Sequence, residues 1–336
     1  MTKEIQQENY QSLKNQIGEL LRQGRMRAGR AVNTILVQTY WNIGRYIVEY
    51  EQGGREKSVY GSELLDRLSR DLTLEFGKGL SRSNLVYMRK FYLFFPNSET
   101  LSHQLSWSHY FEILKSDDRL AVNFYTKQCE KENWSVRELR RQMKSMLFHR
   151  LALSGDKKGV LEIAEKGAEI NQPGNIIKDP YVFEFLGIPE RYQYLEGELE
   201  EKLIQHLELF LLELGKGFAF IGRQYKITLG NKHYFVDLVF YHRILKCFVL
   251  IDLKRGEIDH NDIGQMNMYL NYFAKEENVE GDQPPIGIVL GAYKDHILVE
   301  YATENISNHL FVSKYQLYLP NKKQLKDQLK KLLKDD

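Results

Sequence analysis

Two aspartates and a lysine stand in an otherwise apolar stretch, YFVDLVFYHRILKCFVLIDLKRG (234–256). Asp237 and Asp252 each interrupt a run of Val, Leu, Ile and Phe, and Lys254 follows the second aspartate by two residues. Burying unpaired carboxylates is costly. A divalent cation between them removes that cost, and Mg²⁺ or Mn²⁺ binds one or two carboxylates while keeping several waters. Because a lysine beside them can contact a scissile phosphate oxygen, the trio predicts metal-dependent phosphodiester hydrolysis.

This chemistry requires the three side chains to share one face of a sheet. Side chains alternate faces along a strand, so Asp252 and Lys254 share a face. If the two apolar runs pair as a hairpin with an even loop and no bulge, Asp237 lies opposite Asp252. Loops 243–246 and 244–245 both satisfy this, and the lack of Asn-Gly favours the longer one. The alternative is a surface hairpin with a salt-bridged face, which the apolar flanks disfavour.

Composition and charge narrow the class of protein. The chain has 336 residues, enough for two domains, with 43% hydrophobic and 27% charged residues. It has no apolar run of about 20 residues that could span a membrane, and its start is polar, unlike a signal peptide. Cys129 and Cys247 are too few for a disulfide framework or a cysteine zinc site. We therefore expect a cytoplasmic protein.

The predicted secondary structure and the net charge change along the chain. Residues 10–155 read as helices and hold all three tryptophans, and 156–180, rich in Gly and Pro, reads as a linker. Residues 181–336 predict an α/β domain: a helix at 196–215, three strands, a helix, a strand, a helix and a strand, with an amphipathic tail. Residues 1–150 carry 24 Lys and Arg against 17 Asp and Glu, a net charge of +7, and the rest carry −5. The basic half could serve a polyanion.

Two helical segments of the front half are candidates for nucleic-acid contact. Segment 61–95 resembles a helix-turn-helix, with a GKGL turn and a second helix that begins at Ser81. A further basic helix follows the capping box Ser135-Val-Arg-Glu138. The candidate contact residues on the two helices are Arg82, Asn84, Arg89 and Lys90, then Arg137, Arg140, Arg141 and Lys144. An ordinary helical hairpin with a solvated basic face is an open alternative.

At this point the residues resemble a known family. V-D-L (236–238) and, after fourteen residues beyond Asp237, D-L-K (252–254) resemble the PD-(D/E)XK nuclease signature. Gln265 in IGQMNMYL matches a glutamine that a subset of these nucleases places on the following helix. The upstream helix of that fold often supplies another acid, for which Glu200 is the best match and Glu198 and Glu201 are competitors.

Further stretches of the sequence are similar to the YhcG-like family of bacterial PD-(D/E)XK proteins. The similar stretches cover residues 15–320; they are VNTILVQTYWNIGRYI, LSRDL, FGKGLSRSNLVYMRKFY, LSWSHY, NWSVRELRRQM, FLLELGKGFAFIGRQ, DLVFYHR, IDLKRG and GQMNMYL. The sequence departs from the signature in having Val236 in place of the proline and aspartate as the second acid.

The resemblance implies a restriction-endonuclease-like mixed sheet behind a helical, nucleic-acid-binding domain. It implies catalysis by Asp237, Asp252, Lys254, Gln265 and Glu200. It also implies a Mg²⁺ or Mn²⁺ ion held by Asp237, Asp252, Glu200 and Leu253, the last of which can offer only its main chain. The expected substrate is DNA, and a homodimer would suit the cutting of two strands. The alternatives are a nuclease fold that binds nucleic acid or a protein without cutting, and an interaction protein that assembles through its helical domain.

Overall fold

The computed structural model of the protein describes residues 2–53, 60–153, 157–189, 194–293 and 309–334. The chain divides into two compact units, Met1–Leu139 and Arg140–Asp336. Among the described residues, none of the helices combines the length and the apolar character needed to cross a membrane.

The first unit is helical throughout its described residues, as the sequence predicts. Its helices are α1 (Thr2–Gly53), α2 (Tyr60–Phe76), α3 (Arg82–Phe94), α4 (Trp107–Ile113) and α5 (Arg119–Glu132). Helix α6 (Val136–Lys144) begins in the first unit and ends in the second.

Helix α3 is the central packing element of the first unit. A Cβ atom placed on Gly44 of α1 would lie only 2.0 Å from the main-chain oxygen of Met88 in α3, so a larger residue would force the helices apart. Leu85 and Met88 of α3 are fully buried. The indole nitrogen of Trp41 donates a hydrogen bond of 2.6 Å to the carbonyl of Phe95, just beyond the end of α3.

The predicted helix-turn-helix segment folds as α2, a glycine-containing turn and α3. Gly77 and Gly79 have φ of +83° and +111°, a region that glycine enters without strain. The side chain of Ser81 caps α3 by accepting the Asn84 N–H at 3.3 Å. The turn and the helix start therefore lie where the sequence predicts, and their use in nucleic-acid binding stays a prediction.

The second unit contains a six-stranded mixed sheet. Its strands are β1 (Tyr181–Val182), β2 (Phe218–Leu229), β3 (Lys232–His242), β4 (Cys247–Glu257), β5 (Ile286–Tyr293) and β6 (Leu310–Gln316), in the order β1-β6-β5-β4-β3-β2. Strands β2, β3 and β4 form an antiparallel meander, and β4, β5, β6 and β1 are parallel. Its helices are α7 (Leu147–Leu153), α8 (Lys157–Lys166), α9 (Glu196–Gln205), α10 (Leu207–Leu214), α11 (His260–Tyr272) and α12 (Lys322–Lys334).

Both faces of this sheet are covered, which explains why β3 and β4 are apolar on both sides. Leu238 and its neighbours pack with α9 and α10, whereas Val239 and Leu250 pack with α11 on the opposite face. Helix α11 lies close to β5 at Gly287, where a Cβ atom would stand 2.7 Å from the Met266 side chain. The centre of the sheet is therefore sealed by apolar side chains.

In three parts of the second unit, the secondary structure differs from the prediction made from the sequence. The segment 156–180, predicted to be a linker, contains α8, whose Val160 and Ala164 are fully buried. The helix predicted at 196–215 is two helices, because His206, with φ −113° and ψ 34°, leaves the helical conformation between them. The short strand β1 was not predicted. The helix predicted between β5 and β6 falls on 294–308, outside the described residues.

Candidate active site

The hairpin of β3 and β4 sets the register of the aspartates. His242 pairs with Cys247, so the loop comprises the four residues 243–246, as the sequence predicts. The same register continues to the pair of Leu238 and Ile251. The next position along it sets Asp237 across from Asp252. By strand alternation both aspartates, like Lys254, belong to the face that α11 covers.

Asp237 is held between strands by two hydrogen bonds. Its Oδ2 accepts the main-chain N–H of Leu253 at 2.8 Å, and its Oδ1 accepts the Gln224 amide at 3.0 Å. Burial raises the pKa of Asp237 above its ordinary value, although the Leu253 N–H and the charge of Lys254 oppose the shift. The side chain of Asp237 thus bonds to β4 just beyond the last main-chain pair of the two strands.

Asp252 is the most deeply buried carboxylate of the site, with 3% of the residue exposed. Its Oδ2 lies 2.8 Å from Nζ of Lys254, which also lies 3.6 Å from Asp262. Burial, followed by the negative charge of Asp237, raises the pKa of Asp252 to about 7. Burial alone would lower the pKa of Lys254, but the carboxylates around it, Asp252 foremost, raise the pKa above its ordinary value. The lysine is therefore held as an ammonium.

Glu200 joins the site through a residue that sequence reasoning missed. The amide nitrogen of Gln224 donates to Glu200 at 2.5 Å and to Asp237 at 3.0 Å, and so bridges the two carboxylates. Glu200 is buried, and burial together with the charge of Asp237 raises its pKa. Of its competitors, Glu198 caps the start of α9 and Glu201 bonds Gln205. The structure thus links Glu200, through Gln224, to Asp237.

Gln224 has an unusual backbone. Its φ is +48°, in the left-handed region that residues other than glycine rarely adopt. It lies in the register of β2 and β3 opposite Asp237, between the pairs of Arg223 with Leu238 and of Tyr225 with Val236. Such strain is tolerated where the surroundings hold it in place, and it is concentrated at functional sites. In the sequence, only the position of Gln224 across from Asp237 could have drawn attention to it.

Gln265 reaches the site area through Tyr269, one helical turn along α11. Its amide donates to the hydroxyl of Tyr269, which in turn donates to the Phe235 carbonyl at 3.0 Å. Burial, and then the nearby charges of Asp252 and Asp237, raise the pKa of Tyr269. The hydroxyl of Tyr269 is therefore a second group near the aspartates that the sequence did not single out.

The donor set can be tested against a divalent ion. Among the described residues, no three His, Cys, Asp or Glu side chains are grouped closely enough to hold a metal. The available set is two facing aspartates, the main-chain carbonyl of Leu253, and Glu200 held by Gln224. Mg²⁺ takes one or two carboxylates and fills its octahedron with water and substrate phosphate. The mutual repulsion that raises the pKa of Asp252 is also what a cation would relieve, so the residues fit such an ion.

The candidate contacts on α3 are engaged within the first unit. Arg82 pairs with Asp66 at 2.9 Å, and Arg89 with Glu51 at 2.7 Å. The side-chain amide of Asn84 donates to the Gly79 carbonyl at 2.9 Å. Lys90 donates to the carbonyls of Leu114 and Ser116 and pairs with Asp117. The ammonium of Lys90 is therefore occupied by the loop after α4 and is not free to contact bases. The side chain of Arg82 remains about half exposed.

The candidate contacts on α6 fall into two groups. Arg137, Arg140 and Lys144 are exposed. Arg141 is instead enclosed within the second unit, to which it belongs; it pairs with Glu213 at 2.9 Å and donates to the Val182 carbonyl at 3.1 Å. We correct the prediction for Arg141 accordingly, because its guanidinium is enclosed by internal acceptors.

Comparisons with known proteins identify the family of the chain. Residues 174–330 match a family model described as the YhcG PDDEXK nuclease domain, and residues 16–150 match one described as the DUF1016 N-terminal domain. A protein of Escherichia coli (strain K12) named "Putative nuclease YhcG" is 38% identical over 352 residues, covering 95% of this chain and 93% of that protein.

Solved structures match less extensively. One is a repair endonuclease from Pyrococcus abyssi, at 20% identity and a TM-score of 0.28, covering 39% of this chain and 50% of that one. Another is a complex of EndoMS with double-stranded DNA, at 19% identity and a TM-score of 0.26, covering 40% of this chain and 51% of that one.

Proposed function

Because the chain belongs to the YhcG family and carries a PD-(D/E)XK nuclease domain, we propose that it is a metal-dependent nuclease that hydrolyses phosphodiester bonds in DNA. The observation that carries the proposal is that Asp237 and Asp252 lie just beyond the last pair of one ladder, Leu238 with Ile251, with the Lys254 ammonium 2.8 Å from Asp252. Metal ligands and a phosphate-binding cation are then present in one place.

Each residue has a role in this proposal. Asp237, Asp252 and the Leu253 carbonyl would hold Mg²⁺ or Mn²⁺, and the bound ion would supply Lewis-acid polarisation and an acidified water. Lys254 has three N–H donors. Asp252 and Asp262 face two of them, so one is left for a non-bridging phosphate oxygen, where it would stabilise developing charge.

The supporting residues orient this centre. Gln224 fixes the Glu200 and Asp237 carboxylates relative to each other through its two hydrogen bonds. Gln265 fixes the Tyr269 hydroxyl beside the aspartates. Neither amide changes protonation, so both act by holding neighbouring groups in place.

DNA is the proposed substrate because the front half is basic. The net charge of +7 over residues 1–150 suits a polyanion. Arg137, Arg140 and Lys144 are exposed at helical spacing on α6 and could contact phosphates. The predicted cytoplasmic location is part of the same proposal.

A cleavage assay tests the proposal. The full chain is incubated with Mg²⁺ or Mn²⁺ and a panel of supercoiled, linear and branched DNA and of RNA. We expect wild type and the exposed-site control Asp327→Ala to nick or cut at least one substrate, and Asp252→Ala to leave it intact. Equal behaviour of wild type and Asp252→Ala over the whole panel would refute catalysis by this site.

A second candidate is a nuclease fold that binds nucleic acid or a partner protein without cutting it. The observation in its favour is that the described residues include no group of three acids at metal-binding spacing. This candidate predicts salt-dependent DNA binding that is the same in wild type and Asp252→Ala, without cleavage of any substrate.

A further inference from the structure

Helix α1 has apolar side chains on two opposite sides in different parts of its length. Near its C-terminal end, Val37, Trp41 and Val48 are buried in the core of the first unit. At about 100° per residue, the large apolar residues of its earlier part project from the other side. These are Tyr10, Leu13, Ile17, Leu20, Leu21, Val32 and Ile35, all at least half exposed. We call these seven residues the α1 stripe.

The α1 stripe has no counterpart on the polar side of the same helix. Between residues 10 and 36, the one large apolar residue projecting from the opposite side is Met26. The polar side carries Glu19, Arg22 and Arg30 among others. Most of the stability of a helix in a protein comes from packing of its apolar face, and an exposed apolar band of this size marks a contact surface.

Along the side of the helix that carries the α1 stripe, large residues are followed by small ones, an order that favours a second copy of the helix as the partner. Its first half presents Tyr10, Leu13, Ile17, Leu20 and Leu21. On the same side the next turns present the small residues Gly24, Ala28 and Ala31. In an antiparallel pair of identical helices centred between residues 22 and 23, Ile17 of one copy meets Ala28 of the other, and Leu21 meets Gly24. Large side chains then fill the spaces over small ones, as helix packing requires.

We propose that the α1 stripe is the dimer interface of the protein, in which α1 of one copy pairs antiparallel with α1 of a second copy. Pairing over about 40 Å of helix would bury on the order of 1,500 Å² in total, the size of a standard specific interface. This inference goes beyond the proposed nuclease function and does not depend on it.

Charge favours the same direction of pairing. Residues 23–35 carry Arg25, Arg27 and Arg30 and no acid, whereas residues 10–22 carry Glu19 besides Lys14 and Arg22. A parallel, in-register pair would bring the six arginines of residues 23–35 in two copies together. An antiparallel pair sets each basic half along an acid-containing half, which lowers the repulsion.

Substitution of one stripe residue, with a matched control, tests the interface. Leu21 and Met26 are equally exposed, at 56% and 55%, but lie on opposite sides of the helix. We expect sedimentation equilibrium to show a dimer for wild type and for Met26→Glu. We expect Leu21→Glu to raise the dissociation constant by at least ~30-fold, as for an interface hot spot. A monomeric wild type, or equal effects of the two substitutions, would overturn the proposal.

Cross-linking tests the direction of the helices. Both natural cysteines are buried, so an introduced cysteine would react alone. Leu13 of one copy should face Val32 of the other. On oxidation, a mixture of Leu13→Cys and Val32→Cys chains should therefore form a covalent dimer that neither variant forms by itself. A covalent dimer of Leu13→Cys alone, or none in the mixture, would overturn antiparallel pairing.

Discussion

Two buried charge clusters in the unit Arg140–Asp336 differ in how their charges balance. In the first, Glu213 is fully buried, with Arg150 at 2.6 Å and Arg141 at 2.9 Å. Burial would raise the pKa of Glu213, but Arg150, Lys178 and Arg141 together lower it to about 2. Glu184, 3.4 Å from Arg141, adds a second carboxylate. Cations therefore compensate the buried negative charge, and we call this group the balanced cluster.

The second cluster has an excess of negative charge. Asp252 and Asp262 lie 2.8 and 3.6 Å from Nζ of Lys254, whose charge also acts on Asp237. Glu200 is joined to Asp237 through Gln224, and we call this group the acidic cluster. Burial and mutual repulsion raise the pKa of Asp252 to about 7. A buried ion pair whose charges are balanced is structural, whereas a buried excess of carboxylates persists only where it has a use. The contrast separates the residues that hold the fold together from those expected to do chemistry.

The largest expected effect concerns the balanced cluster. Glu213→Gln would leave Arg150 buried without its counter-charge, so we expect the free energy of unfolding to fall by about 3–5 kcal/mol. Urea unfolding followed by circular dichroism would measure it. Glu208→Gln, an exposed position on the same helix, should stay within about 0.5 kcal/mol of wild type. A Glu213→Gln protein as stable as this control would contradict the structural role.

The next effect concerns the acidic cluster. Lys254→Met removes the cation that we propose stabilises charge on the phosphate, so we expect cleavage to slow by roughly 10²–10³-fold. Single-turnover cleavage with saturating Mg²⁺ would measure it, and Lys226→Met, at an exposed position of β2, serves as the control. If Lys254→Met cuts at the wild-type rate, the lysine has no catalytic role.

Acid should weaken the balanced cluster. Because the pKa of Glu213 is lowered on folding, its stabilising effect is complete above the unfolded value near 4.5 and is lost as pH falls toward about 2. We expect a loss of about 2 kcal/mol by pH 3 from this group. The difference in stability between wild type and Glu213→Gln should therefore shrink on acidification. A difference that stays constant from pH 7 to pH 3 would contradict the low pKa.

The smallest effect concerns the bridge between Glu200 and Asp237. Gln224→Ala removes both of its hydrogen bonds but no metal ligand, so we expect Mn²⁺ affinity to fall about tenfold. Calorimetric titration would measure it beside Gln205→Ala, an exposed glutamine on α9. Equal affinities of the two variants would show that Gln224 does not position the carboxylates.

The register of the site was predictable because period-two alternation and an even loop leave little choice. Asp237 and Asp252 could be placed across one ladder from strand geometry alone. The turn between α2 and α3 was likewise readable, from Gly77, Gly79 and the cap at Ser81. These features depend on residues close in the chain.

The features that escaped prediction depend on distant residues. Helical spacing puts Arg141 on a basic stripe, but only the fold brings it to Glu213, 72 residues further along. The side chain of Gln224, a residue with a left-handed backbone, bonds to Asp237 on β3 and Glu200 on α9, contacts that no local pattern encodes. Strand β1, two residues long, is too short to show a period.

The central claim is that the facing aspartates hold a divalent ion, and titration of Mn²⁺ into the full chain by calorimetry tests it most directly. We predict one site per chain in wild type, retained in Glu208→Gln and lost in Asp252→Asn. Absence of binding in wild type, or the same binding in Asp252→Asn, would contradict the claim.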